Sequence, residues 1–309
     1  MGIDYNHIND NSLKNQTFYF AGTNAWQTWI KPPNCKWVYF FLVGGGAGGQ
    51  GGQTGAASTR SGGNGGGSAA FAYITVPAFS LPDQLYLQVG RGGFFGESGG
   101  TPQGGSGGLS YVCAIPDITS PYNILMKSGT AGAGALGVSA TAGTVITAAD
   151  ILLSDIAFIS AYAGQAGGAG GSSSTPATNV TPSGKPFTGG AGGAGCSSVG
   201  TLGASASIIG ILDFPTISGG TNTAVQSATA GFGNNGYATR ENFVGPNFKT
   251  PMFFTGGAGG GAASQTLGIG GKGGDGMFGC GGGGGGAGGN STAGIGGIGG
   301  DGFIMITVS

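Results

Sequence analysis

An all-β protein, a jelly-roll-like β-sandwich with an inserted bundle of polyglycine-II helices, is the fold class this sequence predicts. Three observations carry that prediction. Of 309 residues, 76 are glycine. Many of the glycines fall in Gly-Gly-X triplets, and the apolar residues gather in short strand-like blocks between the glycine runs.

The triplet register is direct. In the first run the non-glycine positions are Ala47 and Gln50, with Gln53 following; later runs place Thr188, Ala191 and Ala194, then Ile269, Lys272 and Asp275, then Ile295, Ile298 and Asp301. A period of three fits neither the 3.6 of an α-helix nor the 2.0 of a strand. It fits a left-handed threefold helix rising about 3.1 Å per residue. Collagen shares the period but needs one glycine per triplet and abundant proline, and these runs carry almost none of the 13 prolines. Two glycines per triplet leave two of three helix faces without a Cβ, so neighbouring backbones can approach and exchange hydrogen bonds. Such helices have no internal hydrogen bonds, yet buried backbone groups must be paired. Lateral pairing answers both demands. A flexible linker is the alternative reading of glycine-rich sequence, but the hydrophobic fraction of 39% and the strict register argue for packing.

The elements follow in order. Thr17 to Ala21 is a short aromatic-rich strand, Trp26 to Ile30 alternates, and Pro32-Pro33-Asn34 turns the chain into Lys36 to Val43. Ala69 to Val76, Leu85 to Val89 and Leu109 to Ile115 are further strands, each separated from the next by a turn or a glycine excursion. Thr147 to Ser154 reads as one or two helical turns, and Ile156 to Tyr162 returns to a strand. Residues 172–189 and 197–254, rich in Ser, Thr and Asn, read as surface loops, with 197–254 the main loop region. Gly302 to Val308 closes the chain as a strand directly after the last triplets. Residues 1–25 are therefore assigned to an N-terminal arm with the first strand, and 26–309 to a discontinuous sandwich with its inserted bundle. Ile295 and Ile298 are expected to face the sandwich, and Lys272, Asp275 and Asp301 to face solvent or a neighbour.

Composition narrows the function classes. Only 7% of residues are charged, with ten basic against eleven acidic, and the Lys and Arg are scattered singly, which argues against a nucleic-acid ligand. A surface so poor in charge is prone to association. The polar start, Met1 to Lys14, lacks an apolar signal core, and Trp37 to Val43 is too short to span a bilayer; synthesis in a cytoplasm is expected. Cys35, Cys113, Cys196 and Cys280 lie far apart with no C-x-x-C spacing, so no metal site is expected, and the spacing leaves a Cys196–Cys280 pair open.

Motifs that look chemical dissolve in the composition. Gly96-Glu97-Ser98-Gly99-Gly100 and Gly104-Gly105-Ser106-Gly107-Gly108 match G-x-S-x-G, but a quarter of the residues are glycine and the sole histidine, His7, sits in the polar arm. Lys185 and Lys272 are followed by proline and glycine rather than Ser or Thr, so no P-loop is present. The chain is expected to have no enzymatic activity and no cofactor. Aromatics are more informative. Phe94 and Phe95 interrupt a glycine block, and Phe232, Asn234, Asn235, Tyr237, Arg240 and Phe243 cluster in a loop-like stretch. Apolar rings beside amides and an arginine suit contact with a sugar or protein surface. Packing under loops is the plainer alternative. Trp26, Trp29 and Trp37 are candidates for a subunit interface or, alternatively, for the sandwich core.

The passage WQTWIKPPNCKWVYFFLVGGGAGG, the Gly-Gly-X blocks and the closing GGDGFIMITVS resemble the glycine-rich proteins of bacteriophage virions. The layout is similar to that of the polyglycine-helix adhesins at phage tail-fibre tips and, more remotely, to the glycine-rich domain of one receptor tyrosine kinase family. The resemblance implies a sandwich joined to a polyglycine-II bundle on a virion surface, made in the host cytoplasm, with loops that attach to the host. Region 197–254 is longer than the recognition loops of those adhesins, and no individual binding residue carries over. The implied partners are other virion proteins, further copies of the chain in a homo-oligomer taken as a trimer, and a bacterial surface protein or glycan. Two rival roles are a capsid-decorating or connecting protein without receptor binding, and an ice-binding or matrix protein.

Overall fold

The computed structural model describes residues 16–21, 24–55, 59–99, 103–129, 141–183, 186–197, 202, 204–209, 216–223, 228–236, 254–263, 267–289 and 292–309. Among them the regular elements are strands and three single-turn 3-10 helices. The strands are β1 (Gln16–Ala21), β2 (Trp26–Ile30), β3 (Trp37–Val43), β4 (Thr59–Arg60), β5 (Phe71–Pro77), β6 (Gln84–Gln88), β7 (Tyr111–Cys113), β8 (Ile124–Lys127), β9 (Phe158–Tyr162), β10 (Cys196–Ser197) and β11 (Phe303–Val308). They form a five-stranded sheet in the order β1-β11-β3-β5-β9, a four-stranded sheet in the order β2-β6-β7-β8 and a β10-β4 pair. All the pairings are antiparallel. The protein is all-β.

One apolar cluster draws on both larger sheets. Val38, Phe40, Leu42, Ile74, Val76, Ile304 and Ile306 come from the five-stranded sheet, and Trp29, Leu85, Leu87, Val112 and Met126 from the four-stranded one. Strand alternation delivers these residues: β5 and β6 bury every second side chain over most of their length. In β3 the alternation stops at Phe40, and Phe40 to Val43 are all buried. The cause is a second cluster on the outer side of the same sheet, where Phe187, Phe254 and Phe278 cover Phe41, Val43, Phe71 and Phe303. Trp29 is 2% exposed and meets Phe18 edge-on at 6.0 Å. It is a core residue, as the alternative reading of the tryptophans has it; Trp26 is half-buried and Trp37 is exposed.

The glycine segments leave the sheets at one pole. Val43 runs into Gly44, Gln88 is followed by Val89 and Gly90, and Gly302 leads into β11. Gln16 and Val308 pair at the opposite pole. In segment 44–53 successive N–H groups point in three directions. Gly45 and Gly48 donate to Gly108 and Gly105; Gly46, Gly49 and Gly52 donate to Gly300, Gly297 and Gly294; Ala47, Gln50 and Gln53 donate to Gly67, Asn64 and Ser61. The triplet register of the sequence is thus a register of hydrogen bonds. Segment 280–288 exchanges bonds with six neighbours: 44–53, 61–67, 188–195, 255–263, 268–276 and 293–302. It is also where six glycines run without interruption, Gly281 to Gly286, because a segment enclosed on all sides has no side open for a Cβ. Around it the X residues grade outward. Ala47, Ala191, Ala194 and Ala258 are fully buried, whereas Phe94 and Phe232 stand 69% and 65% exposed at the perimeter. At the far end buried Arg60 of β4 donates from Nη1 to the Gly288 carbonyl at 2.6 Å.

Within 172–189 and 197–254, expected as loops, several described stretches belong to this lattice. Ala206 donates to Gly192, Thr178 to Ala169, Gly220 to Gly259 and Gly233 to Lys272. The driving force is burial of isolated apolar residues: Ala177, Val180, Ala206, Ile208 and Ile217 pack with Ala191 and Ala258. All four cysteines are free thiols. Burial raises the Cys113 thiol to about 11, with Asp117 adding to the effect, and holds Cys280 well above the usual range.

Buried serines join sheet to lattice. Ser110 Oγ donates to the Val43 carbonyl (2.7 Å) and accepts the Gly90 N–H (3.1 Å), while Ser128 Oγ accepts the Ser110 N–H (2.9 Å). Ser68 Oγ accepts the Gln165 N–H at 2.7 Å. The strand ladder ends at these points before lateral glycine bonding begins, and the hydroxyls take the backbone groups left between. Ser110→Ala is therefore expected to cost about 1–3 kcal/mol, because it strands two buried backbone groups. Urea denaturation measures it.

Candidate docking face

Four glycine segments lie side by side at the edge of the lattice. Gly296, Gly299 and Gly302 donate to Gly96, Gly93 and Gly90; Gly273 and Gly276 donate to Ile295 and Ile298; Gly233 and Gly236 donate to Lys272 and Asp275. The order is 90–99, 293–302, 268–276, 229–236. Central segment 280–288 bonds to both middle members, 44–53 bonds to 90–99 and 293–302, and 255–263 bonds to 268–276 and 229–236. With three segments behind it in this way, the row of four forms one flat layer.

The outward X residues make a two-dimensional array, with every third residue of each segment on the same side. Phe94, Ile298, Asp275 and Asn235 stand across one row, and Glu97, Ile295, Lys272 and Phe232 across the next. Side chains fix the alignment: Ile298 N–H donates to Asp275 Oδ1 (2.8 Å), and Asp275 N–H donates to Asn235 Oδ1 (2.9 Å). Gly92 N–H donates to Asp301 Oδ1 at 2.7 Å. Lys272 Nζ sits 3.0 Å from Asp275 Oδ1. Asp275 and Asp301 thus reach a neighbour, as one of the two expected placements has it, and cross-link adjacent segments. Ile298 is 39% exposed on this face, which corrects its expected place against the sheets. The inward sides of 293–302 are taken by 280–288 and 44–53, so its X side is left facing out.

The expected contact residues divide. Phe94, Phe232 and Asn235 all lie on the layer, Phe94 on one edge segment and Phe232 and Asn235 on the other. Phe95 is half-buried. Asn234 is exposed but turned to segment 216–223, its Nδ2 donating to the Ser218 carbonyl at 3.2 Å. Tyr237, Arg240 and Phe243 lie outside the described residues. Ile269, Ile295, Ile298 and the Lys272–Asp275 pair had not been singled out for this role. The signal that could have found them is that these blocks carry large X residues where interior blocks carry Ala.

Chemically, the face offers separated apolar side chains around an ion pair held in place, with exposed Arg91 and Glu97 flanking Phe94 on the edge segment. No cluster of three or more His, Cys, Asp or Glu suited to a metal occurs among the described residues. At the opposite pole a cavity of about 470 Å³ is lined by Lys31, Pro33, Cys35 and Phe79. Its Lys31 ammonium is engaged by Asp83 (3.1 Å) and by the Ala78 and Leu81 carbonyls (3.0 and 2.7 Å). No helix among the described residues is long and apolar enough to cross a membrane.

Antiparallel sheets carrying a laterally bonded glycine lattice define a glycine-rich β protein. Residues 21–309 match the glycine-rich domain family, and the chain belongs to it. No curated protein matches the chain.

Proposed function

We propose that this protein is a non-enzymatic structural module of a bacteriophage virion surface, a β-sandwich carrying a rigid polyglycine-II bundle that meets the host cell. The observation that carries the reading is the flat layer with Phe94, Phe232 and Ile298 exposed on a backbone bonded in three directions. A face already rigid loses little entropy on contact, so more of its contact energy survives as affinity. The two-sheet core favours the sandwich, and the three-residue bonding period favours the polyglycine-II helix. The β1–β11 pair places Gln16 and Val308 at the pole away from the lattice; in this proposal the lattice points outward and other virion proteins attach at the opposite pole. Low charge fits assembly with further copies, a trimer in this proposal. No cofactor enters the mechanism.

Exposed Phe and Ile also suit a virion partner, which keeps a capsid-decorating role as the second reading. An ice-binding array calls for small X residues, whereas this face carries Phe and Ile. Immunogold microscopy of phage particles with antibody to this chain tests the proposal. Label at a fibre or tail tip is expected. Label spread over the capsid moves the assignment to decoration, and particles without label overturn it. As a second readout, soluble protein is expected to compete with phage adsorption, and Phe94→Ser with Phe232→Ser to weaken that competition at least tenfold.

A further inference from the structure

The outer face of the five-stranded sheet holds a second surface, remote from the flat layer. Strand pairing aligns Trp37 with Pro77, Tyr39 with Thr75 and Thr307, Phe41 with Tyr73 and Met305, and Val43 with Phe71 and Phe303. Across the next pairing Phe158 lies beside Thr75, Ser160 beside Tyr73 and Tyr162 beside Phe71. The half nearest the lattice is sealed by Phe187 and Phe254. The rest of the face, toward the far pole and along β9, is open: Trp37, Tyr39, Tyr73, Phe158 and Tyr162 are 37–70% exposed. The rings are braced rather than loose. Tyr73 stacks on Phe41 at 4.5 Å, Tyr162 on Phe71 at 5.0 Å, and Trp37 meets Phe158 at 6.4 Å.

The chemistry of this face is unusual in one respect. No position on it, from Thr17, Tyr19 and Ala21 of β1 to Phe158, Ser160 and Tyr162 of β9, carries a charge; between the rings stand the hydroxyls of Thr17, Thr75, Ser160 and Thr307 together with Ala21, Pro77 and Met305. Burial, with Tyr162 nearby, raises the Tyr73 phenol above its ordinary value, and burial does the same for Tyr19. An exposed apolar patch of this kind marks an interaction site. Protein interfaces set such an aromatic core inside a polar rim whose charges fix register, and no charged side chain stands at these positions. An uncharged surface of flat rings and hydroxyls is complementary to a ligand of the same make-up, one with apolar C–H faces that stack on rings and hydroxyls that pair with hydroxyls.

We infer that this face binds a neutral polysaccharide, with the tilted pair Trp37 and Phe158 as one contact point and Tyr73 and Tyr162, set edge-on at 6.4 Å, as the next. The inference rests on the sheet alone and stands apart from the proposal for the lattice face. The test is binding of the intact chain to a printed array of neutral polysaccharides, followed by native electrophoresis through gels containing the best of them. Retardation is expected, with the apparent Kd raised at least tenfold by Trp37→Ala combined with Phe158→Ser. Phe79→Ser, at an 87% exposed position off this face, is the control and is expected to bind as the parent does. Circular dichroism melts of each variant separate lost binding from lost folding. Absence of binding across the array, or equal binding by the double variant, overturns the inference. So does self-association in sedimentation velocity that the double variant abolishes, which would make the face a contact between copies.

Discussion

Gly284→Ala is expected to destabilise the protein by about 3 kcal/mol, the upper end of what overpacking costs, although it adds a single methyl group. A Cβ at Gly284 is aimed at the Gly63 carbonyl, with the Gly193 N–H also in reach. Both obstacles are backbone, and both belong to segments bonded on several sides, so neither can yield as a side chain would. Moving 280–288 aside instead would break its bonds to six neighbours at once. Ala is ordinarily the better residue in regular structure by roughly 0.5–1 kcal/mol, so the sign here opposes that preference. The paired control is Ile298→Ala in the perimeter segment 293–302. Its side chain is 39% exposed, and the change is expected to cost no more than about 1 kcal/mol. Thermal and urea unfolding of the two variants side by side measures the contrast; equal effects would remove the argument from position.

Phe187→Ala is expected to cost about 3–5 kcal/mol, the range for truncating a buried aromatic residue. Phe187 is fully buried, stacks on Phe254 at 5.3 Å, and meets Phe71 at 5.3 Å, Phe303 at 6.1 Å and Phe41 at 6.2 Å. Phe71, Phe303 and Phe41 belong to three different strands of the five-stranded sheet, so this one ring clamps a lattice connection onto that sheet. Loss of the clamp should show first as faster proteolysis around residue 187 and then as a lower unfolding midpoint. An unchanged midpoint would mean that sheet and lattice are stable independently of each other.

How much of this was legible depends on whether the cause is local. Trp26–Ile30 was read with the bounds found, because alternation within one strand needs no knowledge of neighbours. Strand β8, Ile124–Lys127, was missed: it is four residues long, follows Pro121, and buries the adjacent pair Leu125 and Met126, which hides the period of two. The triplet register foretold lateral bonding, but not which segment lies beside which. That order is set by contacts between residues as distant as Gly46 and Gly300. The flat layer was invisible for the same reason, and Ile298 was assigned to the wrong side. Phe94 and Phe232 were singled out because bulk inside a glycine block is conspicuous wherever the block ends up. The single glycines near Ala206 and Ala230 lack strict triplets, so their part in the lattice could not be read from spacing.

The central claim is that the glycine runs are hydrogen-bonded structure rather than slack connection. Amide hydrogen exchange of the native protein, resolved to the 280–288 segment by mass spectrometry or NMR, tests it most directly. Gly281 to Gly288 donate to Thr188, Ala47, Gly274 and their successors, and these amides are expected to exchange among the slowest in the molecule, alongside those of β3 and β11. Exchange of the same glycines at the rate of an unstructured peptide, with the sheets still protected, would contradict the account.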